Sequence, residues 1–270
     1  MTSSLPDSPW SPAALARLRG VLCDIDGTIT TDGRLSAAAY DTLGRLDVAG
    51  LLVGPVTGRP AGWCDLIARF WPVAAVVGEN GAFYYRYDHA ARRMTRRYAR
   101  GDEQRARDRE RLRAIAAEVL RQVPGSALAV DQGFREADIA IDYCEDVAPL
   151  PDSAVQRIVD VLRGHGLTVK VSSIHVNAWF GAYDKLGMTQ RLLAEEFGIA
   201  PAAQPESFAF AGDSPNDEPM FEYFAASAGV ANIARFIDGL RFRPAHVTRQ
   251  AEGAGFVELA ELILQQRKTV

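Results

Sequence analysis

The chain has 270 residues, 48% of them apolar and 24% charged, with a formal charge of −4. That length suits one large domain or a core with a smaller inserted one, and the composition is that of a soluble globular protein. The acidic balance excludes a global attraction to nucleic acid or to an anionic membrane surface, and no run approaches the roughly 20 apolar residues of a membrane-spanning helix.

The N-terminus lacks the basic start and long apolar stretch of a signal peptide. Cys23, Cys64 and Cys144 are far apart and form no C-x-x-C pair, which points to a reducing, cytoplasmic setting. Residues 1–12, rich in Ser and Pro, read as a loose tail. Residues 20–25 (GVLCDI) read as a short buried strand that ends in an Asp-Gly turn. Ser36–Val48 carries Ala39, Leu43 and Leu46 at helical spacing. Leu51–Val56 is a second strand and closes on Thr57-Gly58-Arg59-Pro60. A helix over 61–70 leads to a third strand, Ala74–Val77, which closes on Gly-Glu-Asn-Gly. Strands and helices alternating over short joins predict an α/β fold: a Rossmann-like three-layer core with a parallel sheet.

From residue 83 the rhythm changes. Phe83–Tyr87 and Met94–Tyr98 read as a hairpin, and a helix follows with Leu112, Ile115, Ala116, Val119 and Leu120 on one stripe. Strands are expected at Ala127–Val130 and Asp138–Tyr143. A helix capped by Asp152-Ser153 comes next, then a single strand over Leu167–Val176. This mixture predicts an inserted α+β cap domain over 83–183, between core segments 1–82 and 184–270. The basic stretch Arg92–Arg113 is interleaved with Asp102, Glu103, Asp108 and Glu110, and reads as a solvated helix face. After Asp184-Lys185 the core pattern resumes: a helix (187–197), a strand (Ser207–Ala211) ending in Gly212-Asp213-Ser214-Pro215-Asn216-Asp217, a short helix (Met220–Ala226), a strand (Ser227–Ala231) and a closing helix (Gly255–Gln265).

The chemistry concentrates at the strand ends, where open α/β sheets bind ligands. Asp24 and Asp26 are two apart and so lean to one side of a strand. Two buried anions cost several kcal/mol each to desolvate, a cost that a divalent cation offsets, and oxygen ligands suit Mg²⁺. Thr57, Lys185, Asp213 and Asp217 close other strands or junctions, so the set supplies acid, hydroxyl, cation and acid together.

The segments D-I-D-G-T-I (24–29), V-T-G-R (56–59), D-K (184–185) and G-D-S-P-N-D (212–217) come in the order of the four motifs of the haloacid dehalogenase-like phosphatases, and the chain resembles that family over about residues 20–82 and 184–250. The insertion between the second and third motifs, with Glu79-Asn80-Gly81-Ala82 before it, resembles the subgroup with a large α/β cap, which includes Cof-type, sucrose-phosphate and mannosyl-3-phosphoglycerate phosphatases. The resemblance implies a Mg²⁺-dependent phosphatase of a small phosphorylated metabolite, a sugar or sugar-acid phosphate. It makes Asp24 the nucleophile and Asp26 the general acid and base. Thr57, Gly58, Arg59 and Lys185 would surround the phosphoryl group, with Arg59 open to a second anionic group. Mg²⁺ would lie on the Asp24 and Asp213 carboxylates and the Asp26 carbonyl, supported by Asn216 and Asp217 directly or through water. An acidic residue at position 26 argues for turnover to free phosphate or for a phosphomutase. A non-catalytic sensor of phosphorylated ligands is the alternative from another class. On the cap, His175, Asn177 and Trp179 share one strand face and suit a polyol, or else pack. Glu79 and Asn80 are candidate hinge residues, and Asn80 is also a candidate substrate contact. A monomer or a homodimer is expected.

Overall fold

The computed structural model describes residues 9–267. Residues 1–8 of the expected tail lie outside the described residues, while its last residues are engaged. The Trp10 indole donates to the Ala225 carbonyl at 3.0 Å. Ser11 caps α1 (Pro12–Ala16), accepting from Ala14 N, with Pro12 in the first turn where a missing N–H costs little.

The strand β1 (Gly20–Cys23) is buried at all four residues, as expected of a parallel strand covered on both faces. Asp24 and Ile25 follow its end. A small ribbon, β2 (Thr30–Thr31) and β3 (Arg34–Leu35), comes next, unforeseen in the sequence reading. Its turn is Asp32-Gly33 with φ of +48° and +71°, the positive angles that a tight hairpin turn demands. Ser36 caps α2 (Ala37–Val48), followed by β4 (Leu52–Pro55), α3 (Ala61–Phe70) and β5 (Val76–Gly78).

The hairpin β6 (Phe83–Asp88) and β7 (Arg93–Tyr98) corrects the sequence reading. It pairs antiparallel with β5, and Phe83 and Tyr85 lie in the core's apolar cluster with Val53, Cys64 and Ile67. The sequence reading places this hairpin in the cap; it instead adds two strands to the core, paired edge to edge on β5. The cap's own apolar cluster begins at Leu112 and ends at Ala178.

In the cap, α4 (Asp102–Gln122) leads to β8 (Ala127–Leu128), β9 (Ile139–Asp142), α5 (Asp152–Gly164), β10 (Thr168–Val171) and β11 (His175–Trp179). The antiparallel sheet runs β10-β11-β9-β8, and both helices cover one face. Two expectations change here. The stretch 167–176 is two strands joined through Ser172–Ile174, not one. At α5 the N-cap position is Pro151 with no side-chain cap, and Asp152 lies inside the first turn, where its charge suits the helix dipole.

The chain re-enters the core through α6 (Lys185–Phe197), α7 (Gln204–Ser207), β12 (Phe208–Gly212), α8 (Glu218–Tyr223), β13 (Ala226–Gly229), β14 (His246–Val247) and α9 (Glu252–Arg267). The central sheet is parallel in the order β14-β13-β12-β1-β4. β1 lies between β12 and β4, with Cys23 level with Ala211 and Pro55. That register brings three strand ends to one crevice beneath the cap. Among the described residues, no helix is long and apolar enough to cross a membrane.

Candidate active site

Each site residue is held by the strand end or helix start that carries it. Asp24 N donates to Ala211 O at 2.9 Å, which extends β1 by one residue and turns the carboxylate into the crevice. Thr57 N donates to Val77 O at 2.9 Å. The Thr57 hydroxyl oxygen accepts from Arg59 N at 3.0 Å, so its own proton is left to donate. Asp184 caps α6, accepting from Gly187 N at 2.7 Å, and sets Lys185 as the first helical residue.

Lys185 is 2% exposed, and its Nζ lies 3.0 Å from Asp24 Oδ1 and 2.7 Å from Asp217 Oδ1. Asp217 Oδ2 accepts from Asp213 N and Ser214 N, so both oxygens of Asp217 are committed to the protein. Asp213 Oδ2 accepts from Asn232 Nδ2 at 3.0 Å, whereas its buried Oδ1 has no partner. Oxygens of Asp24, Asp213 and Asp217 lie within 4.8 Å of one another. Lys185 thus serves two of three clustered buried carboxylates, and the third, Asp213, has Arg235 Nη2 4.0 Å from its Oδ2. Burial, followed by Asp217 and Asp26 and against the pull of Lys185, pushes Asp24 up to about 7. Burial, then Asp24 and Asp217, holds Asp213 well above the usual carboxylate range. Lys185 is raised despite its burial, because Asp217 and Asp24 favour the ammonium. The cluster has the donor set and the surplus negative charge that fit a hard divalent cation. Gly27 keeps the space clear: at φ +71°, a Cβ there would sit 2.5 Å from Asp213 Oδ2.

The remaining expected residues fall nearby, with changed partners. Asn216 donates to Asn80 Oδ1 and accepts from the Ser214 hydroxyl, so it braces the loop. Asn80 has φ +54°, and its buried Nδ2 is unpartnered. Gly58 accepts from Arg135 at its carbonyl. On the cap, Asn177 donates to Asp138 at 3.2 Å. Trp179 is packed, stacked on Tyr183 with ring centroids 5.5 Å apart, and its indole donates to Tyr183 O, so it offers no open stacking plane. Arg59 does not present free donors. Its fork grips Asp26 at 2.7–3.0 Å, and it pairs with Asp131 and Glu145 of the cap.

The sequence reading did not find Asp131, Arg135, Asp138, Glu145 and Asn232. Asp138 sits at a strand start that reads as ordinary polarity, and no spacing rule links position 59 to 131 or 145. Asp24, Asp26, Gly58, Arg59, Arg135, His175 and Asn177 are among the residues that enclose a cavity of about 10 Å³. Beside it, a larger chamber of about 370 Å³ is bounded by Asp26, Arg59, Cys144, Glu145, Asp213 and Arg235.

No family model matches the chain. A phosphoglycolate phosphatase of Methanospirillum hungatei is 28% identical over 251 residues, spanning 91% of this chain and 96% of that protein. Among solved structures, a haloacid dehalogenase-like hydrolase from Bacteroides thetaiotaomicron superposes with a TM-score of 0.61 at 16% identity, covering 91% of this chain and 99% of that one. The C-terminal domain of a trehalose-6-phosphate phosphatase from C. albicans gives 0.69 at 14% identity, covering 95% and 98%.

Proposed function

We propose that this chain, a haloacid dehalogenase-like hydrolase in its fold and motif order, is a phosphoric monoester hydrolase that acts on a small phosphorylated metabolite, a sugar or sugar-acid phosphate. The observation that carries the reading is Lys185 bridging Asp24 and Asp217 at the end of β1, beside the unpartnered Asp213 Oδ1. Hydrolysis of phosphate esters depends on positioning and on neutralising charge spread over the phosphoryl oxygens. Asp24 attacks phosphorus, and the bond to the leaving oxygen breaks as Asp26 gives that oxygen a proton. The aspartyl-phosphate is then opened by a water whose proton passes to Asp26, which restores Asp24 and releases phosphate. The Thr57 hydroxyl and the third N–H of Lys185 are left to donate to phosphoryl oxygens, and the Thr28 hydroxyl and Asn80 Nδ2 are also unpartnered. Asp24 and Asp213, with the Asp26 carbonyl, would hold Mg²⁺, whose charge shields the oxygens from the carboxylates. Asp217 and Asn216, already hydrogen-bonded, would support that set.

The polar chamber beside the site, and the phosphoglycolate and trehalose-6-phosphate phosphatases that resemble this chain, support a compact hydroxylated or carboxylated leaving group. Three unpaired cysteines accord with a reducing cytoplasm. The test is phosphate release from a panel of hexose phosphates, disaccharide phosphates, phosphoglycolate and glycerol phosphates, with Mg²⁺ and with chelator. Release that needs Mg²⁺ and is abolished by Asp24→Asn in a folded protein is expected. Undiminished release by Asp24→Asn overturns the assignment, and isomerised product in place of free phosphate marks a mutase.

A further inference from the structure

We infer that Arg59 couples closure of the cap to the aim of Asp26, and that Glu145 on the cap is the residue that sets Arg59. The inference rests on the phosphatase reading above and assigns both as positioning residues. Arg59 follows β4 in the core, yet two of its four ionic or ring partners come from the cap. Nε and Nη2 fork onto Asp26 at 2.7–3.0 Å. Nη1 lies 3.3 Å from Asp131, and Nη2 lies 2.5 Å from Glu145. Trp63 lies beneath the guanidinium, 4.5 Å from its carbon. Every nitrogen of the fork is engaged and the side chain is 6% exposed, so no edge is left to receive an anionic group of a substrate.

Glu145 is itself fixed. Asp142, at the end of β9, accepts from the backbone N–H of Cys144, Glu145 and Asp146 at 2.8–2.9 Å, which locks the loop that carries it. The second carboxylate oxygen of Glu145 lies 2.9 Å from His175 Nε2 on β11. Asp131 is held in the same way by Arg135. Two cap segments therefore bring carboxylates to one core arginine, and that arginine grips the proposed proton donor. Withdrawing the cap removes both carboxylates at once. It leaves Asp26 against an arginine that is free to turn, so the proton donor is aimed only beneath a closed cap.

The experiment compares wild type with Glu145→Gln, which keeps the shape, and Arg59→Lys, which keeps the charge and loses the fork. The readout is kcat/KM with Mg²⁺ for 4-nitrophenyl phosphate and phenyl phosphate, substrates of similar shape. The first leaving group departs without a proton, and the second needs one. Misaiming Asp26 is expected to lower phenyl phosphate turnover about tenfold more than 4-nitrophenyl phosphate turnover, a partial loss of the roughly 10²–10⁴-fold that a general acid contributes. Equal losses on both esters mean a merely structural role and overturn the proposal. X-ray scattering of the same proteins gives a readout that needs no turnover: a larger radius of gyration in both variants is expected, and unchanged curves overturn the coupling. The metabolite panel decides the phosphatase reading separately; should wild type hydrolyse neither aryl ester, scattering alone decides whether Arg59 holds the cap.

Discussion

Asp213 Oδ1 is buried, without a protein partner, and beside two further carboxylates. Such an atom is costly unless something else satisfies it. Mg²⁺ at about 100 times its dissociation constant stabilises a protein that binds it only when folded by about 2.7 kcal/mol. A rise in Tm of wild type on adding Mg²⁺ is therefore expected, and Asp213→Asn should lose most of it; calorimetry with and without chelator checks this. Glu145 offers a pH test. Burial would raise its pKa, but His175 and Arg59 outweigh that and bring it down to about 2 from the ordinary 4.5. A lowered folded pKa means that the unfolded chain takes up the proton first. The contribution of Glu145 is complete above about 4.5 and is lost as pH falls towards about 2. The Tm gap between wild type and Glu145→Gln should be widest near neutral pH and close on acidification. A gap that is constant with pH would show that the charge of Glu145 is idle.

At the scale of elements, the segment Glu79-Asn80-Gly81 behaves as an anchor where the sequence suggested a hinge. Its φ values are +43°, +54° and +101°, three left-handed residues in a row. The two non-glycine members carry a cost of about 1 kcal/mol or more each. It is offset by the Glu79 carboxylate, which accepts from Ala61 N in the core and from the N–H groups of Glu136, Ala137 and Asp138 in the cap. At Gly81 a Cβ would lie 1.9 Å from Asp184 O, on the turn that presents Lys185. Gly81→Ala should cost about 3 kcal/mol or more in urea unfolding, because neither backbone can yield. The four motif segments were legible because each carries its chemistry within a few residues and sits where an apolar run stops. The turn Ser172–Ile174 was not, since it holds neither Gly nor Pro and the apolar alternation runs through it. Glu79 was read only by its place in the segment, because its partners are backbone groups, three of them more than 50 residues away.

At the scale of the molecule, the apolar residues divide between cap and core, with Ala137 of the cap packed in the core's cluster. The cap cluster around Leu112, Ile141, Leu162 and Val176 is separate from the clusters that cover the central sheet. What joins the two units at the site is polar: Arg59, Arg135, Glu79 and their partners. Leu162→Ala in the cap, at 0% exposure, should cost about 2–5 kcal/mol. That loss should appear as faster hydrogen exchange in β9, β10 and β11, with β1 and β12 unchanged. Uniform acceleration would instead mean that cap and core unfold as one unit. The cavity of about 10 Å³ lined by Asp24 has no space for a phosphate ester, so the proposed reaction requires the polar seam to part.

The placement of the three cysteines turns that movement into something a reagent can time. Cys23 and Cys64 are wholly buried, whereas Cys144 is partly open and borders the larger chamber, next to Glu145. Burial, then Asp142, raises its thiol above the ordinary value, so alkylation at neutral pH is slow and registers excursions of the chain more than the resting state. One thiol should react in the native protein and three in denaturant. The rate at the first then reports the fraction of time that Cys144 stands open, a measure built into the wild-type sequence.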